Sequence, residues 1–322
     1  MKFIKHITIF ATICAGLVSC KEYPQMVEYP APDPVSEIGK ALVANTGYIA
    51  SIYKDTSYVL HSGVEVTELS YLSNAGRSMR TFWYKIDLND PAITLECITP
   101  LGKPEVGARQ EVLSSMLSHA DRKGHKVIGG TSSDFGGGAG PQGVYWAGGK
   151  CLKSNFIPLK DRPRCFVYIN KDETVGMGYE AEYKEFIDNN KDKVSEIFCG
   201  SPRLIAGGKI SIDTPNDLDS ESHPRTAIGL IPEKKIVYLM VVDGRRYDYS
   251  NGMHLDILAN VFSAIGCTEA LNLDGGGSST FIVGAEGKYG DPKRFIVKNW
   301  PNDNGGQERA LNNGLAIVAS DM

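Results

Sequence analysis

The chain has 322 residues, 42% hydrophobic and 22% charged, with a formal net charge of −4. That composition is ordinary for a globular protein and carries neither the basic excess of a nucleic-acid binder nor the polar bias of a disordered chain. The 35 glycines and 15 tyrosines lean toward many strands joined by turns.

The chain opens with "MKFIKHITIFATICAGLVSC". Lys2 and Lys5 precede a short apolar run that closes on Leu17-Val18-Ser19-Cys20, the layout of a secretory signal. The last four residues resemble a bacterial lipobox, in which the cysteine is acylated and becomes the first mature residue. The run is too short to span a bilayer. The expected organisation is a lipoprotein signal over 1–19, a Pro-rich tether over 20–35, a helical lead-in over 36–63 and one domain over 64–322. Lipidation at Cys20 would hold the protein to the bacterial cell envelope, periplasmic or surface-exposed, with the lipid as its membrane contact. Five further cysteines, Cys97, Cys151, Cys165, Cys199 and Cys267, match no zinc spacing. Their odd number leaves at least one free, and most are expected to be small buried residues.

"VSEIGKALVANTGYIASIYK" has a helical apolar rhythm. From Val64 the pattern changes to alternating runs, "VEVTELSYL", "RTFWYKIDL" and "AITLECITP", which read as strands. "ARQEVLSSMLSHADRKGHK" reads as an amphipathic helix with Val112, Met116, Leu117 and Ala120 on one stripe, followed by a strand "KVIGG". "RPRCFVYI" and "HPRTAIGL" share basic-Pro-Arg before a β-like run, each followed by a turn and another strand, so two hairpins are expected. "GMHLDILANVFSAIG" places Leu255, Leu258, Phe262 and Ile265 in helical phase, with Gly266 at its end. Hairpins with separated helices argue for an α+β fold, a largely antiparallel twisted sheet with helices packed against it.

The most unusual stretch is "NLDGGGSST". Leu271 and Leu273 alternate with Asn272 and Asp274, so the stretch reads as strand, tight loop, strand, with Asp274 ending the first strand. Three glycines let backbone N–H groups converge on an anion, and Ser278 adds a hydroxyl. A phosphate-binding P-loop fails for want of a lysine and a following helix; a nucleophile elbow fails for want of its last glycine. A functional turn and a plain hairpin loop both remain open on residue chemistry alone.

"ALNLDGGGSSTF" resembles the signature of the phosphodiester glycosidase family. Other segments are similar in the family's order: "VIGGTSSDFGGGAGPQGVYWAGGK", "HPRTAIGL", "VVDGRRYDYSNGMHLDILANVFSAIGC" and "GGQERALNNGLAIV". The first departs from the family pattern, with Ser132 or Ser133 where asparagine is usual and Gly136 in place of a second aromatic. The resemblance implies hydrolysis of a sugar-1-phosphodiester bond, releasing a sugar from a phosphorylated glycan or polymer. The altered loop leaves an alternative, a non-catalytic surface protein that binds glycans or sugar phosphates.

Such a reaction needs carboxylate chemistry at the anomeric carbon and cationic groups on the phosphate. Asp274 and Asp134 are the expected catalytic carboxylates, although an aspartate beside a turn also reads as a turn cap. The resemblance marks Arg225, Arg245 and Arg309 as phosphate contacts, with Ser278 and the amides of Gly275, Gly276 and Gly277. His223 and Asp243 are further candidates for substrate binding. The six histidines form no zinc motif, so no metal and no cofactor are expected.

Overall fold

The computed structural model describes residues 33–158, 163–212 and 221–320. The expected signal, Cys20 and most of the tether lie outside the described residues. Among the described residues, four α-helices, α1 (Glu37–Thr46), α2 (Leu113–Ala120), α3 (Tyr183–Asn190) and α4 (Leu255–Ala264), accompany three main sheets whose strand pairs are all antiparallel. The fold class is therefore α+β. Among the described residues, no helix is long and apolar enough to cross a membrane.

The largest sheet has eight strands, in the spatial order Ile49–His61, Val64–Ser73, Ser78–Asp87, Ile236–Val242, Arg225–Ile231, Glu269–Asn272, Arg203–Ala206 and Lys209–Ile210. A five-stranded sheet runs Lys150–Lys153, Tyr145–Ala147, Val194–Gly200, Cys165–Asn170, Val175–Tyr179. A second runs Phe295–Val297, Phe281–Gly284, Lys126–Ser132, Gly314–Ala319, Ile93–Ile98.

Strand periodicity assigns the layers. Along Ser78–Asp87, Phe82, Tyr84 and Ile86 enter the central core, whereas Trp83 points to the opposite face with Leu258 and Phe262 of α4. Val237, Leu239 and Val241 likewise face inward and Tyr238 and Met240 outward, as period-2 alternation requires. Both smaller sheets contribute to the same central core, through Leu315 and Ile317 on one and Val167 and Phe198 on the other. Their outer faces are covered separately, by Met116 and Leu117 of α2 and by Tyr183 and Phe186 of α3.

Two expected helices are shorter in the structure. In α1, Ser36 caps the start by accepting from Gly39 N at 2.8 Å, and Gly47 stops the helix in a left-handed conformation at φ 65°. From Ile49 the lead-in is not helix but a 13-residue strand, because it finds an antiparallel partner in Val64–Ser73. The helix read over "ARQEVLSSMLSHADRKGHK" begins only at Leu113. Glu111–Val112 instead pair with Ala310–Leu311, and Asp121 ends the helix and receives Val127 N at 3.0 Å.

The two basic-Pro-Arg hairpins form as read, Cys165–Asn170 with Val175–Tyr179 and Arg225–Ile231 with Ile236–Val242, in different sheets. Among the described residues none of the five cysteines from Cys97 to Cys267 is in a disulfide; Cys151 is exposed and the rest are buried.

Phe281 joins the layers. It is fully buried and stacks on Tyr84 with ring centroids 4.1 Å apart, so the second five-stranded sheet meets the eight-stranded one ring on ring. Phe281→Ala is expected to cost about 3–5 kcal/mol of stability, read as a lower urea midpoint at unchanged slope.

Candidate active site

Leu273 and Phe281 lie in the central core, but the strands on either side of "NLDGGGSST" belong to different sheets. Glu269–Asn272 pairs with Arg225–Ile231 and Arg203–Ala206, whereas Phe281–Gly284 pairs with Lys126–Ser132 and Phe295–Val297. The stretch is thus a crossing between packed sheets, which removes the plain hairpin reading. A 3-10 turn over Gly276–Ser278 makes the crossing, with Gly276 at φ 63°, a conformation that favours glycine. Gly276 N donates to Pro224 O at 2.9 Å, pinning the turn to the start of the Arg225 strand.

Asp274 sits at the mouth of this crossing. Its N–H donates to Ser133 O at 2.8 Å, and Ser132 Oγ donates to its carbonyl at 3.2 Å. The glycine turn is thereby tied to the segment that carries Asp134. Ser132, Asp134, Asp274, Ser278, Arg309 and Asn313 all line one small cavity of about 80 Å³. The two expected catalytic carboxylates therefore share a cavity with one of the three expected arginines and the expected serine.

Asp134 is held from several sides. Asn313 clamps its backbone, Oδ1 accepting from Asp134 N at 2.8 Å and Nδ2 donating to Asp134 O at 3.0 Å. Gly143 N donates to Asp134 Oδ2 at 2.6 Å, and Arg164 Nη1 lies 3.8 Å from Oδ1. Arg164 is fully buried, oriented by Nε donating to Ile157 O at 2.9 Å and by Gln142. Gly136 stands where a side chain would collide with Asn312. That asparagine takes Gly137 N at 3.0 Å and donates to Arg109 O at 2.8 Å, fastening the glycine-rich loop to the segment that leads into Glu111–Val112.

Electrostatics sets the protonation of the pair. Burial pushes the Asp134 carboxyl up to about 6, against the pull of Gly143 N–H and Arg164. Asp274 keeps part of its surface open, yet crowding by protein raises it to about 7; Ser278 and Arg309 oppose the rise and the nearby Asp134 adds to it. Two carboxylates that repel each other in a desolvated cavity titrate as a pair, so near neutrality they hold a proton between them for part of the time.

The remaining expected residues are placed elsewhere. Asp243 does not line the cavity: its carboxylate is buried and accepts from Asn299 Nδ2 and Trp300 N, each at 2.9 Å. Asn299 in turn donates to Ser279 O at 2.9 Å and accepts from Phe281 N at 2.8 Å, so Asp243 braces the far end of the glycine turn. Arg225 is buried, and its guanidinium donates to Met253 O at 2.9 Å and Glu221 O at 3.0 Å rather than lining the cavity. His223 lies 3.0 Å from Glu221 and accepts from Arg245 at 3.4 Å; burial, then Arg225 and Arg245, lower its pKa and favour the neutral ring. Arg245 packs along the glycine turn, where a Cβ on Gly276 would come within 3.2 Å of its Nη1. Among the described residues, no group of three or more metal-ligating side chains is assembled.

Arg164 and Asn313 are the site residues that sequence reasoning missed. Arg164 had a signal in the repeated Pro-Arg of the two hairpins, and Asn313 in "ALNNGLAIV", but neither segment says which side chain turns inward.

A family model for phosphodiester glycosidases matches residues 124–318, which include Asp134, Asp274 and Arg309. No curated protein matches the chain by sequence. Among solved structures, the catalytic domain of zebrafish N-acetylglucosamine-1-phosphodiester alpha-N-acetylglucosaminidase, auto-inhibited by its pro-peptide, is similar at a TM-score of 0.61. Identity is 17%, over 84% of this chain and 88% of that one. A hypothetical protein from Synechocystis is similar at TM-score 0.58 and 11% identity, over 83% of this chain and 64% of that one. A protein from Burkholderia pseudomallei described as exported gives 0.55 and 12%, over 90% and 99%. At these identities the likenesses describe a shared fold.

The raised carboxyls have a cost in stability with a definite sign. Between about pH 4 and 7 an unfolded aspartate has lost its proton while folded Asp274, pushed up to about 7, still holds one. Its contribution therefore falls as pH rises through this window, by on the order of 2–4 kcal/mol. Asp274→Asn, which cannot ionise, is expected to melt several degrees above wild type at pH 8 and close to it at pH 4, in paired thermal scans.

Proposed function

The chain belongs to the phosphodiester glycosidase family, and from that premise we propose that it hydrolyses a sugar-1-phosphodiester bond, releasing a sugar from a phosphorylated glycan or polymer. The observation that carries the reading is the convergence of Asp134, Asp274, Ser278 and Arg309 on one cavity. Hydrolysis places a water oxygen on the anomeric carbon and breaks the bond from that carbon to the phosphate oxygen. A free sugar and a phosphate monoester leave, and the proton lost by water passes through a carboxylate to solvent. The leaving monoester needs little acid assistance, so one proton on the dyad is enough.

In this reading the ionised member of the Asp134–Asp274 pair attacks the anomeric carbon or takes the proton from water, and the protonated member donates a hydrogen bond. Arg309 faces the phosphate together with Ser278 and the Gly277 amide, the Gly276 amide being committed to Pro224 O. Arg245 stands beside Gly276 as a second cation for the aglycone side of the diester. Asn313, Gly143 and Arg164 position Asp134, so that carboxylate is held in place before substrate arrives.

Against a panel of synthetic glycosyl-1-phosphodiesters, Asp274→Asn is expected to lower kcat by about 10²–10⁴-fold, and Arg309→Gln to lower kcat/KM by about 10²-fold. Wild-type kcat/KM is expected to peak between about 6 and 7, the values to which Asp134 and Asp274 are raised. It falls in acid as the pair gains its second proton and in alkali as it loses its last. The anomeric configuration of the first-formed sugar distinguishes direct attack by water from a covalent glycosyl-aspartate.

A binding-only reading is favoured by one observation, an open groove of about 770 Å³ whose lining includes Arg77, Asn251, His254 and the 91%-exposed Tyr247. Polar groups beside an exposed aromatic ring suit a sugar. Equal inertness of wild type and Asp274→Asn on the whole panel, with glycans still retained, would establish it.

We also propose that the protein works at the bacterial cell envelope, anchored by a lipid on Cys20, on the strength of the lipobox-like "LVSC". Labelled fatty acid is expected to enter the wild-type protein and not Cys20→Ala; a cytosolic, unlabelled wild type would refute the anchor.

A further inference from the structure

The cavity of about 80 Å³ is well below the roughly 300 Å³ at which small-molecule sites begin. Arg309, on its wall, is also not free to meet a phosphate. Its Nε donates to Asp303 Oδ2 at 2.6 Å and its Nη2 pairs with the same oxygen, while Nη1 reaches Ser278 Oγ at 3.3 Å. The Asp303 carboxylate lies so close over Gly277 that a Cβ there would overlap both of its oxygens. A negative group thus rests between the glycine turn and the arginine, the two features expected to receive the substrate phosphate.

We propose that Asp303 is an internal stand-in for the substrate phosphate, holding Arg309 until an incoming phosphodiester displaces it. The proposal rests on the reading of Arg309 as a phosphate contact. Three features make the carboxylate displaceable. The pair is partly open to water, the Asp303 side chain being 28% exposed and that of Arg309 45%. Asp303 begins a single 3-10 turn over Asp303–Gly305, closed by one backbone hydrogen bond from Gly306 N to Asp303 O at 3.2 Å. Gly305 and Gly306 close that turn at φ 69° and 94°, with Gly306 packed on the Trp300 indole, so Trp300 gives the moving turn a fixed base. When the carboxylate leaves, Arg309 keeps its contact with Ser278 and exchanges one anion for another, so no unpaired buried charge is created. Asp303 then sets a threshold: neutral glycosides cannot compete for Arg309, whereas a phosphodiester can.

The test measures anions and substrate separately. Inorganic phosphate binding, followed by calorimetry on the full chain, is expected to tighten about three- to tenfold in Asp303→Asn and in Asp303→Ala, the scale of a partly exposed charge-paired fork. It is expected to be lost when Arg309→Gln is added. With a phosphodiester that turns over, KM is expected to fall by the same factor at nearly constant kcat. Phosphate binding that is unchanged or weaker in both Asp303 variants would overturn the proposal, since a carboxylate that only orients Arg309 makes its loss harmful. If no diester is cleaved yet the Asp303 variants bind phosphate more tightly, the stand-in holds and the hydrolytic reading fails.

Discussion

The seam where the eight-stranded sheet packs on two smaller sheets governs everything else in this protein. Phe82, Tyr84, Leu239 and Ile228 from the large sheet meet Phe281, Leu315 and Ile317 from one partner and Val167 and Phe198 from the other. A chain that builds both sides of such a seam must cross it, and a crossing exposes backbone polar groups that the core cannot satisfy. Here the crossing at Asp274–Thr280 is satisfied by specific partners: Asp274 N by Ser133 O, Gly276 N by Pro224 O, Ser279 O and Phe281 N by Asn299. The candidate site is a consequence of that bookkeeping, since the groups that close the crossing also gather the reactive side chains.

The second consequence is electrostatic. Two aspartates placed at the seam's end are short of water, and burial lifts both into the range of a neutral-pH acid and base. Their environments differ. Asp134 is enclosed and supported by a backbone N–H and a buried arginine; Asp274 faces the cavity with Ser278 and Arg309. Cations are likewise divided between scaffold and site. Arg164 and Arg225, the matching arginines of the two Pro-Arg hairpins, are buried and engaged with backbone carbonyls, whereas Arg309 and Arg245 lie along the glycine turn. Similar sequence contexts thus yield different duties, because burial decides whether a guanidinium spends its donors on the fold or on a ligand.

Much of the fold was legible because the strands alternate cleanly. "RTFWYKIDL" and "KIVYLMVVDG" each send one set of residues to the central core and the other toward α4 and its neighbours, as a period of two dictates. The lead-in was misread beyond Gly47 because "YIASIYK" fits a helical stripe locally, and only the partner strand Val64–Ser73 turns it into the sheet edge. Asp243 was read as a substrate contact because it stands beside Arg245 in a family-like motif. The structure commits its carboxylate to Asn299 and Trp300, residues more than fifty positions away, and no local pattern encodes that pairing.

The sequence by itself determined the strand and helix alternation, the glycine turn with its adjoining Asp274, and the family to which those motifs point, because propensity, periodicity and tight-turn geometry are local properties. Only the tertiary structure decided that the turn is a passage between sheets and not a hairpin. Only it brought Asp134 and Arg309 to Asp274, set Arg164 behind Asp134 and laid Asp303 over Gly277. These are contacts between segments distant in the chain. They are fixed by which sheets pack together and by the demand that each buried polar group find a partner, conditions that no single stretch of residues can state.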